Sequence, residues 1–241
     1  MTSDKPRGDS FYLTCEKYYI YELLILAGGM MGAYTYLVRG GVFCNAQTAN
    51  VLMMALAFGR GEWGRGLYYF IPFTAYLLGA VVSEALPTGI RRRRMLRWDT
   101  LLIGFEILVL LLMGLVPPSW PVQIVQVSIN FIASMQYNTF RQAEGVPMAT
   151  TFITNHVRQI GVQAVTSLHR HDRKAGKRAL RHLLMIFMFF LGALILAPLC
   201  KPLQERAVWV AVLPLLVCFV VLVHADLGTE HELFDRKPHG H

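Results

Sequence analysis

The chain has 241 residues, 54% of them hydrophobic and 16% charged, with a formal net charge of +8 and a positive mean hydropathy. These proportions exclude an ordinary soluble domain, and the lack of alternating segments of roughly ten residues excludes an outer-membrane barrel. Nor does the charge describe a nucleic-acid footprint. It is concentrated in two short stretches between apolar runs, Arg91, Arg92, Arg93, Arg94 and Arg97, then Arg170, Arg173, Lys174, Lys177, Arg178 and Arg181, as topology signals are.

Residues 1–19 read as a polar cytoplasmic lead that ends in Phe11, Tyr12, Tyr18 and Tyr19. Without an apolar signal core, the first span itself is expected to direct insertion. Apolar runs follow at 20–38, 67–86, 99–116, 121–140, 183–200 and 207–224, each close to the roughly 20 residues that cross about 30 Å of hydrocarbon as a helix. The first contains Gly28, Gly29 and Gly32, small residues that admit a close neighbour and permit a homo-oligomer.

Two polar knots interrupt this pattern. The first, RGGVFCNAQTANVLMMALAF at 39–58, places Gly40 and Gly41 before Asn45, Gln47, Thr48 and Asn50. The second, about 105 residues later at 141–167, sets Arg141, Gly145 and Pro147 before Thr150, Thr151, Thr154, Asn155 and His156. The Gly40, Gly41 and Gly145, Pro147 pairs supply turns, and Thr48 or Asn50 and Thr154 or Asn155 are candidate N-caps for short helices. The fourth run carries Gln123, Gln126, Ser128, Asn130, Ser134, Gln136, Asn138 and Thr139, which must line a cavity or meet polar partners.

Pro117, Pro118 and Pro121 separate two halves, 20–116 and 121–225, after which residues 226–241 form a polar tail. Placing both basic stretches in the cytoplasm requires an even number of crossings between them, so the second knot does not cross. The expected architecture is therefore all-α and polytopic. It has six transmembrane helices as two inverted three-helix repeats, each with a re-entrant or broken short helix, and both termini in the cytoplasm of an inner-membrane protein.

Helix N-termini at membrane depth suit carboxylates, halides or the oxygens of a polar solute. The candidate substrate-binding residues are Asn45, Gln47, Thr48, Asn50, Thr150, Thr151, Thr154, Asn155 and His156. Arg39 and Arg141 either snorkel to the interface or face an anion as gates, and Glu106 is a candidate coupling carboxylate. The four scattered cysteines lack CxxC spacing, and His169, His171, Asp172, His231, His239 and His241 lack the spacing of a tight metal set. No catalytic triad or metal motif is visible and no cofactor is expected. The function that fits is a transporter or channel for a small polar or anionic solute. A structural or partner-binding membrane protein and a membrane-embedded enzyme are the alternatives.

The segments YTYLVRGGVFCNAQTANVL and MQYNTFRQAEGVPMATTFITN resemble the paired signatures of the YoaK-like family of bacterial inner-membrane proteins, a domain of unknown function. With the spacing of spans, the resemblance covers roughly 20–225. The chain has Gly32 where relatives often carry an acid, Ala49 where they carry Gly, and Thr154, Asn155, His156 for Thr-Gly-Asn. The resemblance implies a membrane fold and no particular substrate.

Overall fold

The computed structural model describes residues 12–86, 96–233, 236 and 238. Residues 1–11, the Arg91 to Arg94 cluster, and His239 and His241 lie outside the described residues. The described residues are helical apart from turns, loops and one two-residue ladder. Its helices are α1 Tyr18–Leu37, α2 Gln47–Gly59, α3 Trp63–Ala85, α4 Trp98–Met113, α5 Val122–Thr139, α6 Thr154–Arg170, α7 Arg173–Leu203 and α8 Val212–His224. A 3₁₀ segment, Gln204–Ala211, joins α7 to α8.

Among the described residues three stretches are long and apolar enough to cross a membrane, α1, α3 and the run Arg173–Thr229. The reasons that the other expected spans fall short are physical. At a rise of 1.5 Å per residue the 16 residues of α4 reach only about 24 Å, and α5 dilutes its apolar surface with amides.

The long contacts are α1 with α7, α3 with α5, α2 with α3 and α6 with α7, while α4 packs on α8. Glycine permits the two closest crossings. A Cβ at Gly192 of α7 would overlap the Leu26 carbonyl oxygen, and one at Gly79 of α3 would overlap that of Phe131.

Each end of the bundle is tied by polar contacts. At one end the Tyr21 hydroxyl donates to the Gln142 carbonyl over 2.7 Å, Arg181 pairs with Glu22 at 3.5 Å, and the Trp98 indole donates to Thr139 at 3.0 Å. Arg97 and both carboxylates that hold it, Asp226 at 3.5 Å and Glu230 at 3.1 Å, are buried there too. Glu230 also accepts from the Thr14 amide at 2.7 Å. The expected polar tail therefore begins as part of the core, because Asp226 and Glu230 neutralise a buried guanidinium. At the other end the Tyr34 hydroxyl donates to the Glu205 carbonyl over 3.0 Å.

The knots are compact chain reversals. Gly40 and Gly41 take φ of 80° and 75°, a left-handed conformation that glycine adopts without Cβ strain. In the second knot Gln142–Ala143 pairs with Val146–Pro147 around Glu144 and Gly145, with φ of 45° and 76°, the geometry of a tight two-residue hairpin. Gly145 turns the chain as expected, but with Glu144 as its partner. Pro147 lies in the second strand, where its fixed φ suits extended backbone.

Candidate functional site

Both knots return to the middle of α1. The Asn45 amide donates to the Gly28 carbonyl over 3.2 Å, and a Cβ at Gly32 would lie 2.9 Å from that same amide. From the second knot, the Thr150 carbonyl oxygen lies 2.7 Å from where a Gly28 Cβ would sit. One helical turn of α1 thus receives one knot at each end, because glycine leaves room for both.

α5 supplies the facing polar surface. Gln47 donates to the Asn130 side chain at 2.9 Å, and Asn130 donates to the Gln126 carbonyl at 2.8 Å. Gln126 in turn donates to the Arg39 carbonyl and to the Tyr68 hydroxyl of α3. At the far end Asn138 donates to Ser83 at 2.8 Å. The amide nitrogens of these residues find polar partners, as their position in an apolar run demands, whereas the buried side-chain oxygens of Gln126 and Gln136 have none among the described residues.

Three buried hydroxyls, Ser134 Oγ, Thr150 Oγ1 and Thr151 Oγ1, have no hydrogen-bond partner among the described residues, and all three residues are fully buried. Ser134 lies at the α3 crossing, 3.0 Å from the Cβ position of Gly79. Thr151 faces Tyr76 of α3.

The short helices begin here without side-chain caps. The N-cap of α2 is Ala46 and that of α6 is Ile153, and neither makes a cap hydrogen bond. The expected caps are corrected accordingly. Thr48 and Thr154 lie within the helices on exposed surface, and Asn155 is half-buried, accepting from Arg158 at 3.5 Å. Asn50 is a lock inside its own knot. It donates to the Phe43 carbonyl at 2.7 Å and accepts the Phe43 amide at 3.2 Å, so it closes the loop rather than offering groups to a ligand.

Equivalent sequence positions do not share an environment. Arg39 is 1% exposed. Its guanidinium donates to the Tyr34 hydroxyl at 2.8 Å and to the Val116 carbonyl at 2.9 Å, tying α1 to the end of α4. Arg141 is exposed and bonds Glu84 and Asn138. Glu106 is fully buried in α4, neither carboxyl oxygen has a partner among the described residues, and no hydrogen bond found joins it to a knot.

His156, by contrast, is linked to the second knot. One ring nitrogen meets the Ala149 carbonyl at 2.8 Å and the other meets His182 Nδ1 at 3.0 Å. His182, missed in the sequence, sits beside Arg181 in a stretch that reads as a topology signal. His171 and Asp172 form the turn between α6 and α7: His171 is left-handed, with φ of 49°, and the Asp172 carboxylate accepts the Lys174 amide at 2.8 Å. All four cysteines are buried and free.

An all-helical bundle with apolar helices of membrane-crossing length and polar reversals packed at its centre has the construction of a helical membrane protein. A family model described as a protein of unknown function (DUF1275) matches residues 21–221, and the chain belongs to that family. No curated protein and no solved structure matches the chain.

Proposed function

We propose that this chain carries a small anion, or a polar solute that presents oxygen atoms, across the bacterial inner membrane through a site between the two knots. The observation that carries this reading is the convergence of both knots on Gly28 and Gly32, where the buried Thr150 hydroxyl of the second knot has no hydrogen-bond partner among the described residues. A buried hydroxyl left unsatisfied costs about 1–3 kcal/mol, and irregular backbone at membrane depth persists where protein or a water-filled cavity satisfies it. A ligand that accepts hydrogen bonds would satisfy the Thr150 hydroxyl.

Donors outnumber charges at this place. Thr150 offers a hydroxyl, and the uncapped first turns of α2 and α6 offer amides and a partial positive charge. Arg39 is committed to Tyr34 and Val116, and none of the side chains brought together here is a carboxylate. A cation would therefore lack a counter-charge, whereas an anion would meet donors.

In this reading α1, α3, α4, α5, α7 and α8 are the six spans, with α4 and α5, short or amide-rich on their own, counted as crossings because of the internal symmetry. Both termini are cytoplasmic, and the knots with α2 and α6 are re-entrant from opposite faces. Packing supports the inverted repeat. Exchanging α1, α2, α3 and α4 for α5, α6, α7 and α8 turns the α1 and α7 contact into that of α5 and α3. The same exchange turns α2 and α3 into α6 and α7, and returns the α4 and α8 pair to itself. The crossings match as well, since Gly79 in YLLGA and Gly192 in FFLGA each approach a carbonyl of the partner half. Arg97 and Arg181 lie at the same end of the bundle, beside the start of α1, as cytoplasmic basic stretches should.

Single cysteines replacing Trp63 and His171, in a background without native cysteines, test the topology. Residue 63 is expected to label in intact cells and 171 only after permeabilisation; labelling of both from one face would sink the inverted arrangement. The site itself is tested in proteoliposomes by flux of chloride, nitrate, formate and small polar metabolites. Thr150→Val is expected to lower flux by about tenfold or more at unchanged folded yield, since a hydrogen bond to a charged group contributes about 1.5–3 kcal/mol. Wild-type flux in that variant would remove the site from the pathway.

A further inference from the structure

We infer that His156 and His182 form one shared proton-binding site coupled to the second knot, so that the chain takes up a proton together with its anion. This rests on the solute-site reading above. A carbonyl can only accept, so the 2.8 Å contact with Ala149 requires N–H at His156 Nε2. In neutral His156, Nδ1 is then a bare acceptor, and the 3.0 Å contact requires N–H at His182 Nδ1. That leaves His182 Nε2 as a buried lone pair, and it has no partner among the described residues.

A proton arriving there forms one N–H bond and breaks none. The His182 imidazolium keeps its Nδ1–H donated to His156. Transfer of that shared hydrogen moves the charge onto His156, which still donates Nε2–H to Ala149. A second proton would set two N–H groups against each other across 3.0 Å, so the pair holds one. Of the charged groups on the packed elements, Glu22 of α1 pairs with Arg181 of α7, Arg158 of α6 bonds Asn155, and Lys177 and Arg178, within about one turn of His182 on α7, are exposed. Tyr18 of α1 lies under the Arg181 guanidinium.

The coupling follows from position. His156 is the third residue of α6, at the positive end of the helix dipole, where a cation is disfavoured. Ala149, its acceptor, directly precedes Thr150, whose hydroxyl would hold the anion. A negative charge at Thr150 and the first-turn amides would offset the repulsion, and by linkage the proton must favour the anion to the same degree. The first knot carries apolar Val51 after Asn50 where the second carries His156 after Asn155, so the proton site belongs to one half.

Nitrogen NMR of ¹⁵N-histidine-labelled protein in lipid bilayers tests this directly. At alkaline pH the spectra should show N–H at His156 Nε2 and His182 Nδ1, and acidification should add one proton to the pair. Replacing gluconate by chloride, nitrate or formate should raise its proton affinity about tenfold for at least one of the three, within the usual range of coupling between sites. Thr150→Val should abolish that response while leaving the proton site. Two independent protonations, none, or indifference to all three anions would overturn the inference. So would anion flux whose pH dependence is unchanged in His182→Gln, and that result would leave the transport reading standing. An anion-responsive proton in a wild-type protein that shows no flux would strike the transport reading alone.

Discussion

Arg97→Met should lower stability by about 3–5 kcal/mol, the cost of breaking a buried ion pair by removing one partner. The guanidinium is 7% exposed and stands between Asp226 and Glu230, whose side chains are 3% and 6% exposed. It also donates to the Leu233 carbonyl at 3.0 Å, while its backbone amide donates to Asp226 at 2.9 Å. Removing it leaves two carboxylates buried with no cation between them. Thermal unfolding in detergent should shift down sharply, and Arg97→Lys should recover only part of the loss because an ammonium lacks the planar fork. Adding Glu230→Gln to Arg97→Met should restore some stability by deleting one uncompensated charge. An Arg97→Met protein that melts with the wild type would mean that water reaches the cluster.

That cluster was not legible in the sequence, and the reason is separation. Arg97 and Asp226 are 129 positions apart, and nothing local distinguishes Arg97 from the arginines beside it or Asp226 from the head of a polar tail. Apolar run length did reveal helices, and paired glycines followed by amides and hydroxyls did reveal two chain reversals. What the residues of a reversal do was harder to read. Asn50 and Asn45 look alike in sequence, yet one closes its own loop and the other reaches α1. Arg39 and Arg141 open their knots alike, yet one is buried against Val116 and the other is exposed beside Glu84. Such differences depend on which helix passes nearby, and tertiary contact alone decides that. The polar face of α5 was visible as a pattern, but that Ser134 lacks a partner while Asn130 has two is a fact of packing.

Gly192→Leu should be at least as damaging as the loss of Arg97, and its effect should reach function directly. α1 and α7 cross where Gly29 faces the Phe189 carbonyl and Gly192 faces the Leu26 carbonyl, and each missing Cβ would overlap a backbone oxygen. Backbone cannot swing aside as a side-chain end can, so the helices must separate. Overpacking of a well-filled core costs about 1–3 kcal/mol, and a clash with backbone at a two-sided crossing lies at or above the upper figure. Separation would also carry Gly28 and Gly32 away from Thr150 and Asn45, so any variant that survives purification should lose solute flux even where its helix content is native. Gly161→Ala is the control. Its Cβ meets nothing within 4 Å, and replacing glycine by alanine inside a helix contributes up to about 1 kcal/mol of stability. Raised stability in that variant alongside failure of Gly192→Leu would assign the damage to the crossing rather than to the loss of a glycine. If Gly192→Leu instead retained wild-type stability and flux, α1 and α7 would not approach this closely, and the meeting of the two knots on α1 would lose its support.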